Sequence, residues 1–273
     1  MRQSLGSIMR NAARAIVLSS CALAFAGQAK AEGFWSGNWY LTLGGSGISA
    51  PKFEGAKDNK LFFSPIISLG RGNQPRFSSR NDSASFAIYD TDVLRAGVAG
   101  KFIPGRDAGD ADELIGLSDI KWGGELGGFA DVYVTDYLRA RAELRQGIRS
   151  HDGLVADLAL DAFTDIAPDL RISGGPRATY ATSGYTKAYY GVDAGESAAS
   201  GLSEYHPDGG FTSVGAGAAI TWDATEKLQM SAFTEYKRLT GPAADSSLVE
   251  ERGSKNQLTF GVSASYKFGF SLD

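Results

Sequence analysis

Arg139, Arg141, Arg145 and Arg149 fall on one parity of a single stretch of chain. At a period of two residues they point the same way, and a stripe of guanidinium groups inside a pore attracts anions. Arg171 and Arg177 extend the stripe two strands further on. Lys121, Glu125 and Asp131 sit on the preceding strand, and Glu235 and Lys237 on a later one. The same strands also carry the means to neutralise it, in Glu125, Asp131, Glu143, Asp157 and Asp161. Because the interior of a small barrel is ordinarily filled by side chains, these residues read either as an anion path or as an ion-paired plug.

Other chemistry is sparsely represented. Asp107, Asp110, Asp112 and Glu113 crowd one Gly/Asp-rich loop, but their spacing matches no Ca²⁺-binding loop, and the expectation is a solvated acidic loop with no metal. The two histidines, His151 and His206, fall in loops. Ser150-His151-Asp152 is adjacency in sequence, which says nothing of triad geometry. Neither catalytic residues nor a cofactor are expected.

What must position these side chains is a set of strands. From Asn256 to Phe270, Leu258, Phe260, Val262, Ala264, Tyr266, Phe268 and Phe270 share one face, while Gln257, Thr259, Gly261, Ser263, Ser265, Lys267 and Gly269 share the other. Similar alternation recurs over Asn38–Ile48, Leu61–Gly70, Asp92–Ile103, Ser118–Val134, Leu138–Ile148, Leu154–Ile166, Leu170–Thr182, Phe211–Trp222 and Lys227–Leu239. Gly72-Asn73-Gln74-Pro75 reads as a plain turn. In a soluble sandwich the apolar faces would meet a second sheet. In an outer-membrane barrel they meet lipid and the polar faces line the lumen.

Strand parity decides the number. Tight turns at 135–137, 167–169 and 224–226 alternate with the longer connections 49–60, 104–117, 150–153, 183–210 and 240–255. If Arg76–Tyr89 bends at Asn81-Asp82-Ser83 into a short hairpin, the count is twelve, and every tight turn lies on the periplasmic side. The fold expected is therefore all-β, an antiparallel transmembrane barrel of about twelve strands, with the terminal strand closing on Asn38–Ile48. Trp39, Tyr40, Trp122, Tyr133, Tyr137, Trp222, Tyr236, Tyr266, Phe268 and Phe270 near strand ends suit interfacial girdles.

The N-terminus is of another kind. Arg2, Arg10 and Arg14 precede the apolar stretch Ala15–Ala26, and Ala29-Lys30-Ala31 completes an Ala-x-Ala site. Residues 1–31 thus read as a signal peptide cut after Ala31, leaving 32–273 as the barrel. Leu18-Ser19-Ser20-Cys21 also resembles a lipoprotein box, but the apolar stretch runs past it to Phe25. Cleavage after Ala31 removes Cys21, the only cysteine, so the exported chain has no thiol chemistry. The chain holds 27 basic and 31 acidic residues; losing Arg2, Arg10, Arg14 and Lys30 leaves a net charge of −8, which excludes nucleic acid as a partner.

Three stretches together resemble a known family. They are Gly105-Arg106-Asp107 with Leu114-Ile115-Gly116-Leu117-Ser118-Asp119-Ile120; Tyr189-Tyr190-Gly191-Val192 with Glu196 to Leu202 (including Ser200 and Gly201) and Tyr205; and Arg238 to Ser247, which includes Asp245, with Asn256-Gln257 and Tyr266-Lys267-Phe268. In that order they are similar to the MipA/OmpV family of outer-membrane proteins. Two positions depart from its pattern: Pro242 stands in place of an acid, and Ser247 in place of proline. The resemblance implies a barrel in the outer membrane of a Gram-negative bacterium, in contact with lipid and lipopolysaccharide. Its strand-end aromatics (Tyr266, Phe268 or Phe270) would be read by the outer-membrane assembly machinery. It also implies a scaffold that joins a murein hydrolase to a murein synthase, while other members are described as adhesins or porin-like proteins.

Overall fold

The computed structural model describes residues 37–71 and 76–272. The signal-peptide and Ala31 cleavage readings, and the turn read at 72–75, lie outside them. Residues 38–270 form one compact unit.

The unit 38–270 is a single sheet of eleven strands. They are β1 (Gly37–Pro51), β2 (Asn59–Arg71), β3 (Ala84–Asp90), β4 (Leu94–Ile103), β5 (Gly123–Thr135), β6 (Leu138–Ile148), β7 (Leu154–Ala167), β8 (Leu170–Ala181), β9 (Gly210–Asp223), β10 (Leu228–Leu239) and β11 (Asn256–Leu272). In spatial order β2 is followed by β1, then by β11 and so on down to β3. As expected, the terminal strand lies against the first. Glycines of β1 pack on the β11 backbone: a Cβ on Gly44 would strike Ala264 and Ser265, while one on Gly261 would strike the Gly47 carbonyl. As one strand ascends the other descends, so this pair too is antiparallel.

Period two assigns the faces. On β5, Glu125, Phe129, Asp131 and Tyr133 are buried, whereas Leu126, Val132 and Val134 are exposed. On β6, Arg139, Arg141, Glu143 and Arg145 are buried against exposed Leu144 and Ile148. An apolar face turned outward over a charged face turned inward inverts a soluble protein and matches a wall facing lipid. Tyr137, Trp122, Trp222, Tyr236, Tyr266, Phe268 and Phe270 are outward and exposed. Trp39 and Tyr133 are buried and Tyr40 lines a lumen cavity, so those three do not belong to a girdle.

The strand count departs from twelve for an identifiable reason. Residues 76–83 are not in the wall. They run as an irregular segment with a turn closed by Asp82 N–H donating to the Ser79 carbonyl at 3.2 Å, and they run through the barrel. Arg76 pairs with Asp136 near the tight turns at 3.1 Å, while Ser83 N–H reaches Glu143 in mid-wall at 3.1 Å. The chain does reverse near Asn81-Asp82-Ser83, but the arm that rises to this turn is not a strand and reaches only mid-wall. It climbs through the lumen, because its side chains find carboxylate and guanidinium partners there and would meet lipid in the wall.

One consequence is a seam. β2 starts beside the long loops and β3 ends at the tight turn before Leu94, so the two edge strands run the same way. They are the sheet's two ends and share no ladder.

Candidate functional site

The inward residues of β5, β6 and β7 form one ion-paired network. Pairing sets Asp131 opposite Arg141 and Arg139 opposite Asp161, so opposite charges meet directly across strands. Arg139 holds both oxygens of Asp82 at 2.7 and 2.9 Å and reaches Asp161 at 2.6 Å. Arg141 contacts both oxygens of Asp131 at 2.9 Å and Glu143 at 2.7 Å. Arg145 donates to Glu125 at 2.8 Å, to Asp157 at 2.5 Å and to Glu143. Arg177 pairs with Asp161, and Lys237 with Glu235 at 2.9 Å. Asp131, Arg139, Arg145 and Asp161 are all 0% exposed. Arg139, Arg141 and Arg145 are each matched by carboxylates, the arrangement that an ion-paired plug requires.

The lumen segment 76–83 is built into that network. Phe77 stacks on Phe163 at 4.5 Å between centroids, its carbonyl accepts from the Tyr133 hydroxyl at 3.3 Å, and Arg139 lies 4.8 Å over its ring. Arg171 sits at the tight-turn end, bonded to Asp165 at 2.7 Å and to the Arg76 carbonyl at 2.8 Å. Asp82 is the member that sequence reading missed. It carries no signal, since a polar residue in a turn looks the same whether solvated or inside a barrel.

Two expected lumen residues lie elsewhere. Lys121 precedes β5 and is exposed. Arg149 follows β6 with a φ of 75°, and its guanidinium lies 3.9 Å over the exposed Trp122 ring. In both places the chain has left the sheet, so the period-two rule that assigned them inward no longer applies.

His151 roofs the charged network. It is buried, with Nε2 3.2 Å from Glu125 and Nδ1 accepting from Gly153 N–H at 3.3 Å, and its ring meets Tyr185 edge to face. His206 is an exposed loop residue. Asp107 and Asp110 tie down a 3₁₀ turn, Asp110 accepting from Asp107 N–H at 2.9 Å. No three His, Cys, Asp or Glu side chains among the described residues converge as metal ligands do.

Above the network the long loops fold over the barrel end. The connection after β8, expected as loop, contains helix α1 (Ser183–Tyr190) and helix α2 (Ala194–Ser200). Asp193 caps α2, accepting from Glu196 N–H at 2.8 Å, and Gly201 ends it at a φ of 78°. A third helix, α3 (Gly241–Ala244), and a π-helical turn over Leu248–Arg252 follow β10. The three motif stretches meet here. Leu114 and Leu117 pack with Val192 and Leu202, with Leu248, and with Phe53 and Ala56 from the first loop. Polar bonds stitch the same strands of sequence together. Glu196 accepts from Ser118 N–H at 2.8 Å, Arg106 donates to the Tyr189 carbonyl at 3.1 Å, and Arg252 donates to the Glu113 carbonyl at 3.0 Å. Gly116, at a φ of 88°, lets its loop pass against Ser200, whose backbone a Cβ would strike. A Cβ on Gly105 would press on the Ile120 carbonyl, and one on Gly191 on that of Lys187. Asp245 is exposed at the end of α3 and stands outside the cluster. Burial and the Glu54 carboxylate raise the Tyr185 and Tyr190 phenols well above their ordinary range, and both donate to Glu54, at 2.6 and 3.0 Å.

The other half of the lumen is unlike this. Between the 76–81 segment and the wall of β8–β11 and β1 lies a cavity of about 410 Å³, lined largely by Ser, Thr, Gly and Ala and reaching the tight turn at Thr225-Glu226.

An inverted sheet of outward aliphatic and aromatic residues around a polar, partly ion-paired interior defines an outer-membrane-type β-barrel. The chain belongs to the MipA family: the family described as "MltA-interacting protein MipA" matches residues 43–268. No curated protein matches it. Among solved structures it is similar to the outer membrane channel DcaP of Acinetobacter baumannii, at 12% identity over 86% of this chain and 99% of that one, with a TM-score of 0.39. An outer membrane channel from Pseudomonas putida F1 matches at 11% identity over 89% and 100%, with a TM-score of 0.44. Neisserial surface protein A matches at 12% over 86% and 99%, with a TM-score of 0.28. Likenesses of this size add nothing to what the strand ladder itself shows.

Proposed function

We propose that this protein is a closed, non-enzymatic barrel of the Gram-negative outer membrane that anchors periplasmic cell-wall enzymes, a murein hydrolase and a murein synthase. What supports this reading is the filling of the β5–β7 half of the lumen, by the segment 76–83 locked to Arg139 and by the loop cap above it. A barrel filled in this way would act through its rims. By the rule that short turns face the periplasm, Asp92, Asp136, Asp169, Asp223 and Glu226 are exposed at that rim with Lys227 and Arg76 among them, a charged surface that suits a partner of complementary charge. The outward wall would contact lipid and lipopolysaccharide, and export would release a chain beginning at Glu32.

Affinity capture of the native barrel from outer membranes should recover a murein hydrolase together with a murein synthase; repeated capture without either would sink the scaffold reading. The polar cavity favours a second reading, a narrow solute channel. Planar-bilayer recordings separate the two. The closed barrel should show no conductance above background, whereas a wild-type current altered by Arg141→Glu would establish the channel.

A further inference from the structure

Inside this barrel one arginine is treated differently from the rest. Arg76 pairs with Asp136, Arg95 with Asp90, Arg171 with Asp165 and Arg177 with Asp161, and Arg139, Arg141 and Arg145 belong to the buried network. Arg80, at the turn of the lumen segment, has neither an acid nor a hydrogen-bond acceptor among the described residues. Its guanidinium lies 5.7 Å from the Phe233 ring centroid, and its Nε is buried without a partner. It faces the cavity of about 410 Å³, across which stand Thr42, Ser68, Thr221, Ser231, Ser263 and Ser265.

A half-buried guanidinium without a counter-charge is costly, and such a group calls for an ion or ligand to explain it. The acids that line the cavity do not serve. Glu235 is engaged by Lys237 at 2.9 Å, Asp223 accepts from Gln229 at 2.9 Å, and Glu226 stands in the tight turn at the mouth. The planar fork of arginine matches a carboxylate in bidentate fashion. A wall of hydroxyl groups exchanges hydrogen bonds with other hydroxyls, each able to donate and accept. At the entrance Asp223 and Glu226 stand with Arg76, Arg171 and Lys267, charges of both signs, so the single negative charge called for is the one that answers Arg80. The volume falls within the range of roughly 300–1,000 Å³ usual for small-molecule sites.

We propose that Arg80 and this hydroxyl-lined wall bind a small monoanionic polyol, a sugar acid, entering from the tight-turn end. Arg80 takes the carboxylate and the Ser/Thr wall takes the sugar hydroxyls. The site goes beyond the anchoring role proposed above and does not depend on it.

Titration calorimetry on the full exported chain in detergent tests this, with glucuronate, neutral glucose and acetate as probes. Glucuronate should bind, and Arg80→Gln should weaken it by about tenfold or more, the loss expected for a charge-assisted pair. Glucose and acetate should each bind at least as much more weakly, since one lacks the carboxylate and the other the polyol. Thr221→Val, which leaves Arg80 in place, should weaken glucuronate but not acetate. Absence of glucuronate binding overturns the proposal, as does an unchanged affinity in an Arg80→Gln variant whose circular dichroism shows the wild-type strand content. Acetate binding as tightly as glucuronate, or Thr221→Val without effect, overturns the polyol half of the assignment.

Discussion

On β5, β6 and β7 the inward positions hold Glu125, Asp131, Arg139, Arg141, Glu143, Arg145, Asp157 and Asp161; on β9, β11 and β1 they hold Gly217, Thr221, Ser263, Ser265 and Thr42. Both halves obey the same period-two rule and both are polar, yet one is filled by side chains while the other encloses a cavity. Side-chain reach makes the difference. Arginine and glutamate extend far enough to meet across strands and to grip the 76–83 segment, whereas serine and glycine stop near the wall. The segment therefore leans on the charged half through Asp82 and Ser83, and turns Arg80 and Asn81 toward the other.

The largest way to break this contrast is to remove a charge from the filled half. Arg139 touches Asp82, Asp161 and, at 3.5 Å, Asp131. Arg139→Ala takes both short bonds from Asp82 and one of the cations from Asp161 and Asp131, which keep Arg177 and Arg141, and losing one partner of a buried pair costs about 3–5 kcal/mol. Urea unfolding of the detergent-solubilised barrel should show a loss of that order. A change below about 1 kcal/mol would mean that the network is hydrated and behaves as exposed pairs do. The same variant should loosen the lumen segment, read as faster proteolysis near residues 76–83 in the folded barrel.

The cap gives the next effect. Leu202 is buried among Leu114, Leu117, Val192 and Leu248, and truncating a buried leucine to alanine costs about 2–5 kcal/mol. Leu202→Ala should raise hydrogen exchange in α1, α2 and the 104–117 loop while leaving β5–β7 protected, because the cap is a cluster separate from the ion-paired network.

A pH effect separates cap from barrel more finely. The Tyr185 and Tyr190 phenols titrate higher in the folded protein than in the unfolded chain, through burial and the nearby Glu54. The folded state therefore keeps protons that the unfolded chain releases, so this stability is fully present below pH of about 10, the ordinary tyrosine value, and declines as pH rises above it. Loosening of the cap above that pH, followed by hydrogen exchange in α1, should be blunted in Tyr185→Phe. A cap equally alkali-sensitive in that variant would assign the transition to other groups.

How far the sequence showed this contrast depends on the residue. Alternation marked the wall and its faces, since a sheet fixes which way each side chain points, and it paired the terminal strand with the first. It misled at Lys121 and Arg149, where it was carried past the strand ends. The 76–83 segment could be counted but not located, because Arg-Phe-Ser-Ser-Arg-Asn-Asp-Ser has a single apolar residue and reads as a polar turn wherever it runs. Only its partners decide, and Arg139 lies some sixty residues away in the chain. The convergence of Leu117, Leu202 and Leu248 is likewise a long-range fact. The motifs identified those loops without indicating that they touch.

The smallest effect is the most specific to the comparison. Ser263 is inward on β11, faces the cavity and has a small side chain. Ser263→Ala removes one hydroxyl from a wall where no charge depends on it, and substitutions away from such features ordinarily change stability by no more than about 0.5 kcal/mol. Unfolding of this variant should be indistinguishable from wild type, against the large loss expected at Arg139 on the opposite wall. The double variant should show the sum of the two effects, since residues that share no partner act independently. A coupling well above about 0.5 kcal/mol would show that the 76–83 segment transmits strain from one half of the lumen to the other, and that the two walls form one mechanical unit.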